Sequence, residues 1–356
     1  MATIKEQTEK TEQLKTSLDN KVDSIGNIIN TKVKEKPTTL TQVEDSLRRK
    51  MWGIGDIVTD VQIEDLGYNT NNNGSFTGHT SSVYALVEDD DYIYSGSSDY
   101  TVRKIRKSDM TEVGRFTGHS SNVNALTSDS EFIYSGGYDN TVRKIRKSDM
   151  IETGKFTRHT DTIYALTSDD TFIYSGGGDK TVRKIRKSDM IEVGKFTGHT
   201  NIIYALTSDD TFIYSGDAGG TFRKIRKSDM VEAGKFTGHI NWVQALAVDN
   251  EYIYSAGSDK IVRKTRKSDM IEVGRFTGHT ENIYALTSDD TFIYSGGYDK
   301  TVRKTRKSDM TEVDNFLRHT SYVRALTIDS EYIYSGSNDS TVKKWAKNIQ
   351  YKILHI

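Results

Sequence analysis

The chain holds 356 residues, with 49 lysines and arginines against 50 aspartates and glutamates, 28 glycines, 20 tyrosines, one proline and no cysteine. A single proline, against a usual share of about 5%, excludes collagen-like and proline-rich chains, 35% hydrophobic residues is too many for a wholly disordered one, and the lack of cysteine removes disulfides and thiolate chemistry. A net charge of -1 supplies no global attraction to nucleic acid or anionic lipid, and no apolar run approaches the roughly 18 residues that cross a bilayer, so no membrane partner is expected.

The first fifteen residues contain no apolar block like the core of a signal peptide, so secretion by that route is not indicated and the cytoplasm or a virion remains as the setting. From Leu14 the aliphatic residues Leu14, Leu18, Val22, Ile25, Ile29 and Val33 step by 4, 4, 3, 4 and 4, which predicts one apolar stripe on a helix. The stripe has no globular partner, so residues 1–36 read as a coiled coil forming a dimer or trimer, or as a helix against another subunit. Pro37 interrupts it, and Thr41 with Glu44 forms a capping box for a second short helix carrying Val43, Leu47 and Met51. Residues 1–52 are therefore an attachment segment and 53–75 a linker, with a short strand at Ile57–Ile63 and a polar lead from Asn69.

Seven of the eight histidines then fall at 79, 119, 159, 199, 239, 279 and 319, a period of 40 residues without a slip. Residues 160–199 match 280–319 at 31 of 40 positions, so these are copies of one unit. In the first copy Val83–Val87, Tyr92–Gly96, Thr101–Arg106 and Glu112–Phe116 are short runs rich in β-branched and aromatic residues, joined by Asp/Ser/Gly turns. Four such strands cannot bury two apolar faces alone. Radial stacking leaves the fewest open edges, which predicts an all-β, seven-bladed propeller of four-stranded antiparallel blades over residues 76–356. The last copy lacks a fourth strand in frame, and Gln350–Ile356 aligns with Met110–Phe116, so the C-terminal segment is expected to supply most of that strand.

Phe76-Thr77-Gly78-His79 and Tyr94-Ser95-Gly96-Ser97-Ser98-Asp99 resemble the Gly-His element and the second-strand signature of the WD-repeat family. The resemblance covers residues 76–356 but departs at the Trp-Asp dipeptide, which reads Ile105-Arg106 in the first copy and retains a tryptophan only at Trp345. It implies a hydrogen-bonded set within each blade: His79, Ser95 and Asp99; His119, Ser135 and Asp139; His159, Ser175 and Asp179; His239, Ser255 and Asp259; His279, Ser295 and Asp299; His319, Ser335 and Asp339. The fourth copy has His199 and Ser215 but Gly219 where the aspartate belongs, so its blade is expected to be the least locked.

A histidine, serine and aspartate also suit a hydrolase triad, but a trio present in almost every blade answers a need of every blade, the satisfaction of buried polar groups. No catalytic residue, cofactor or bound metal is expected. The acidic turn Asp89-Asp90-Asp91 and its copies read as solvated hairpins, lacking the spaced ligands and turn glycine of a calcium loop. The third strands and their copies concentrate 27 of the 49 basic residues, yet each carries nearby acids, so paired charges outweigh a nucleic-acid surface.

Differences between near-identical copies carry the functional signal. They gather three and five residues after each histidine and just before the turn aspartate, connections that share one face of a four-stranded blade. Among them Trp242, Tyr322, Arg324, Tyr138, Tyr298, Ile202 and Gln244, together with Tyr100 just after the first turn aspartate, suit a binding surface, since aromatic and arginine side chains are favoured anchors. The resemblance adds that WD-repeat proteins commonly bind partners through this face. The expectation is a non-enzymatic module recognising a protein or glycan, displayed on an oligomeric stalk as in a phage tail or baseplate, with an intracellular assembly scaffold as the alternative.

Overall fold

The computed structural model describes residues 61–65, 74–316, 319–347 and 351–355. The helices, stalk and oligomer expected over 1–52 lie outside the described residues, among which there is no helix. Two units divide the chain, 1–66 with 350–356 and 67–349. In the first, β1 (Val61–Asp65) pairs antiparallel with the last strand of the chain, Tyr351–His355, in a two-stranded sheet.

The second unit is the propeller. After β2 (Ser75–Phe76), the first blade runs β3 (Val83–Glu88), β4 (Tyr92–Ser97), β5 (Val102–Arg106) and β6 (Glu112–Phe116), each strand antiparallel to the next. Five further blades follow as β7–β10 (123–156), β11–β14 (163–196), β15–β18 (203–236), β19–β22 (243–276) and β23–β26 (283–316). The seventh has β27 (Val323–Ile328), β28 (Tyr332–Ser337) and β29 (Val342–Ala346), and the first strands of neighbouring blades touch in a closed circuit, β27 meeting β3.

Closure corrects one expectation. The outer strand of blade seven is β2, with Ser75 opposite Lys343 and Phe76 opposite Val342, while the C-terminal strand, β30, pairs with β1. Of the linker strand expected at Ile57–Ile63, residues 57–60 lie outside the described residues, and Val61–Asp65 is strand.

The core sits between blades. Tyr94, Val102 and Phe116 of blade one pack with Val123, Ile133, Ile145 and Met150 of blade two, and the grouping repeats around the ring. A blade is two-sided and apolar on both faces, so each buried face needs a neighbour. Third-strand charges are paired as expected: Arg103 Nη1 donates to Glu112 at 2.7 Å and Arg106 Nη1 to Asp109 at 2.8 Å.

Two hydroxyls break the pattern. Where blades one to four bury an isoleucine, blades five and six bury Thr265 and Thr305, whose Oγ1 atoms have no hydrogen-bond partner. A buried unsatisfied polar group costs about 1–3 kcal/mol. Thr305→Ile is therefore expected to raise stability by about 1–3 kcal/mol in urea melts, and an unchanged or lowered midpoint would contradict it.

Candidate functional site

Each blade is pinned at one end by its histidine. His79 Nδ1 donates to Asp99 Oδ2 at 2.7 Å, and its Nε2 accepts from Ser95 Oγ at 2.7 Å. The histidine precedes the first strand and the aspartate lies in the turn between second and third, so this contact fixes both connections on one face, here the histidine face. Asp99 also takes the Thr101 hydroxyl and Arg103 Nη2. Burial would push its carboxyl up, but the His79 and Thr101 hydrogen bonds hold it well below the usual range. In blade seven Trp345 Nε1 donates to Ser335 Oγ at 2.7 Å, completing the relay that the other six blades lack.

The same geometry recurs in all seven blades, with a correction in the fourth. His199 Nδ1 reaches Asp217 Oδ2 at 2.7 Å, two residues before the expected position, through a turn relaxed by Gly219 and by Gly220 at φ 79°. That blade is not unlocked; what it loses is the arginine contact, since Arg223 pairs only with Glu232. With Ser95 0% and His79 4% exposed, the trio is shut off from any substrate and works as a brace.

The acidic turns also differ from expectation. Asp90 and Asp91 are exposed, but Asp89 accepts from the Tyr92 N–H, the Tyr94 hydroxyl and, at 2.9 Å, Lys147 Nζ of the next blade. Equivalent links join every neighbouring pair, ending with Lys107 to Asp329 at 3.0 Å. Local patterning offers no signal for this girdle, because partners lie 58 residues apart on different blades. Among the described residues no group of His, Asp and Glu is arranged to hold a metal ion.

The residues expected to bind lie on the histidine face. Tyr100, Tyr138, Trp242 and Tyr298 are exposed, while Tyr322, Arg324, Ile202 and Gln244 are half-buried. Most belong to two aromatic arcs. Across blades two to five run Tyr138–Tyr164 at 5.8 Å, Tyr164–Tyr204 at 4.9 Å and the stacked pair Tyr204–Trp242 at 5.3 Å. Across blades six, seven and one, Tyr298 stacks on Tyr322 at 3.7 Å, and the Arg324 guanidinium lies 3.9 Å from the Tyr284 ring and 5.7 Å from Tyr84 and Tyr322. Gln244 Nε2 donates to Ser258. Tyr100 joins neither arc by a ring contact, and Ile202 is placed on the face without a ring partner.

The arcs owe their geometry to a bulge. Val83 faces Ser97 and Ala85 faces Gly96, so Tyr84 is an extra residue, and the same slip occurs at the start of every first strand. A bulge leaves its residue out of the ladder and re-aims the side chain. It places Tyr84, Asn124, Tyr164, Tyr204, Gln244, Tyr284 and Arg324 in a ring about the axis. Sequence reasoning missed the tyrosines of this ring because their repetition resembles scaffold; it also missed Ile240, 88% exposed beside Trp242, where the other copies have Ser or Thr.

The family model described as "WD domain, G-beta repeat" matches residues 71–104, 110–144, 151–184, 191–224, 271–304 and 310–346. The fifth repeat, which carries Trp242, falls between matched segments. Among solved structures, the WD40 β-propeller domain of Doa1 is similar at a TM-score of 0.71 and 20% identity, over 81% of this chain and 98% of that one. A search of curated proteins found no match.

Proposed function

The chain belongs to the WD40-repeat family, and from that premise we propose that it acts by binding, as an assembly scaffold that takes a protein partner on its histidine face. WD40 propellers are a protein-interaction module type. The observation that carries the reading is a coincidence. Where otherwise near-identical repeats differ, the aromatic and arginine side chains among the differences, Tyr138, Trp242, Tyr298, Tyr322 and Arg324, are exposed or half-buried and fall in two arcs on one face. Exposed aromatic clusters cost solubility, and interface anchors are drawn from Trp, Tyr and Arg.

The test is affinity for a captured partner with the full chain and with Trp242→Ala and Tyr322→Ala. Loss of a hot-spot anchor costs about 2 kcal/mol or more, so each variant is expected to bind about thirtyfold more weakly at an unchanged melting midpoint. Equal affinity would assign the variation to drift at tolerant loops. Glycan recognition by a surface-attachment protein, such as a phage tail or baseplate component, is the second reading, favoured by the flat stacked surface of Tyr204 and Trp242. A glycan array probed with the native chain and Trp242→Ala separates the two.

A further inference from the structure

We propose that the partner segment seated on the histidine face presents an acidic side chain, and that its carboxylate lodges on Arg324. This rests on reading that face as the partner-binding surface.

Arg324 is the one cation among the seven residues that the bulges place about the axis. Its guanidinium is held from below and from the sides: over Tyr284 at 3.9 Å, beside Tyr84 and Tyr322, with Nε donating to Asn338 Oδ1 at 3.0 Å. Those contacts orient the fork and leave Nη1 and Nη2 without a hydrogen bond among the described residues. Apart from Arg158, every other described arginine is paired with an Asp or Glu of its own blade. Arg158 lies in the loop before His159, on the same face. Among the described arginines these two alone have no carboxylate partner, and both lie on the histidine face.

The surrounding charge agrees. Arg158, Lys180 and Lys300 are exposed on this face against Asp161 and Glu281, and Glu281 is engaged by Lys260 at 3.4 Å. At the opposite end the exposed turn residues include Asp90, Asp91, Asp170 and Asp210. The opposite end also exposes Arg106, Arg186, Arg226, Arg266 and Arg306, but each is paired with an aspartate three residues on, so among the described residues the unpaired exposed charge is basic on the histidine face. A single planar fork on aromatic walls suits a carboxylate, which it can meet through two parallel hydrogen bonds in a partly desolvated site. A nucleic-acid backbone would need many phosphate contacts, which one fork does not supply.

The test is fluorescence anisotropy at low salt on the full chain. The probes are a fluorescein-labelled octapeptide of alternating glutamate and glycine, its lysine counterpart and its phosphoserine counterpart. The glutamate peptide is expected to bind at least tenfold more tightly than the lysine peptide, to lose at least tenfold on Arg324→Gln, and to recover little on Arg324→Lys, which restores charge without the fork. The Arg324 Nε–H resonance is expected to shift on titration with the glutamate peptide, a readout that needs no variant to fold. No preference for glutamate over lysine, equal binding by Arg324→Gln, or an unmoved resonance would overturn the proposal. Binding of the phosphoserine peptide alone would overturn the carboxylate assignment in favour of a phosphorylated partner. Loss of a captured protein partner on Trp242→Ala without loss on Arg324→Gln would leave the binding face standing and remove the acidic anchor; no loss on either would remove the face itself.

Discussion

Phe76→Ala is expected to lower the stability of the propeller by about 3–5 kcal/mol, the cost of truncating a buried aromatic, whereas removing residues 350–356 is expected to change it by no more than about 0.5 kcal/mol. The reason is the length of β2. Two residue pairs, Ser75 with Lys343 and Phe76 with Val342, make up the register that joins this strand to blade seven, extended by one backbone hydrogen bond from the Lys344 N–H to the Gly74 carbonyl. What holds it is the Phe76 side chain, 5% exposed among Val83, Ile93, Ile105 and Met110 of blade one and Tyr334 and Val342 of blade seven. Without that ring the seventh blade has three strands and an open edge. Urea unfolding of both variants checks the pair; a larger effect from the C-terminal deletion would refute closure by β2.

The choice between the two ends was legible in the residues, through packing more than through strand length. Met150 of blade two lies against Gly114 of blade one, where an added Cβ would sit 2.9 Å from Met150 Cγ, and Met190, Met230, Met270 and Met310 meet Gly154, Gly194, Gly234 and Gly274 in the same way. Gly74 meets Met110 in that register, at 2.5 Å. The glycine is replaced only by Asp314, and the following copy has Gln350 in place of methionine. In the C-terminal segment the equivalent position is Leu354. The five-residue run at 351–355 looked the better strand, but its sequence offers no glycine at that position.

Other features divide along the same line. The histidine sets and the four strands of each blade repeat at fixed spacing and were visible at once. The Lys–Asp–Tyr girdle and the aromatic arcs were not, because each joins residues of different blades, and no spacing within one repeat encodes what a neighbour brings. The fourth blade misled for a smaller reason: a glycine-rich turn let Asp217 reach His199 from two residues earlier.

Acid is expected to unfold the propeller steeply between about pH 4 and pH 2, because carboxylates that titrate in that window in the folded state recur around the ring. Burial would push the Asp129 carboxyl up, but hydrogen bonds from Lys187, the Phe132 N–H and Tyr134 bring it down to about 2. Asp209 and Asp289, likewise held in the girdle, and Asp259 and Asp299, held against burial by His239 and His279, are also at about 2. Their unfolded value is about 3.9, so the folded state binds fewer protons than the unfolded state through this window. The stabilisation they give is complete above about pH 4, falls as pH drops, and is gone once pH passes below the folded values. Burial lowers His79, which adds a shallower loss beginning near the ordinary histidine value of about 6.5. Each proton taken up on unfolding contributes at most about 1.4 kcal/mol per pH unit, less where solvent screens the pair, so several carboxylates together outweigh the usual 5–15 kcal/mol of stability within a few pH units. Urea midpoints followed by circular dichroism should stay nearly level from pH 7.5 to 5 and then collapse, and a midpoint still level at pH 2.5 would show that these carboxylates do not brace the ring.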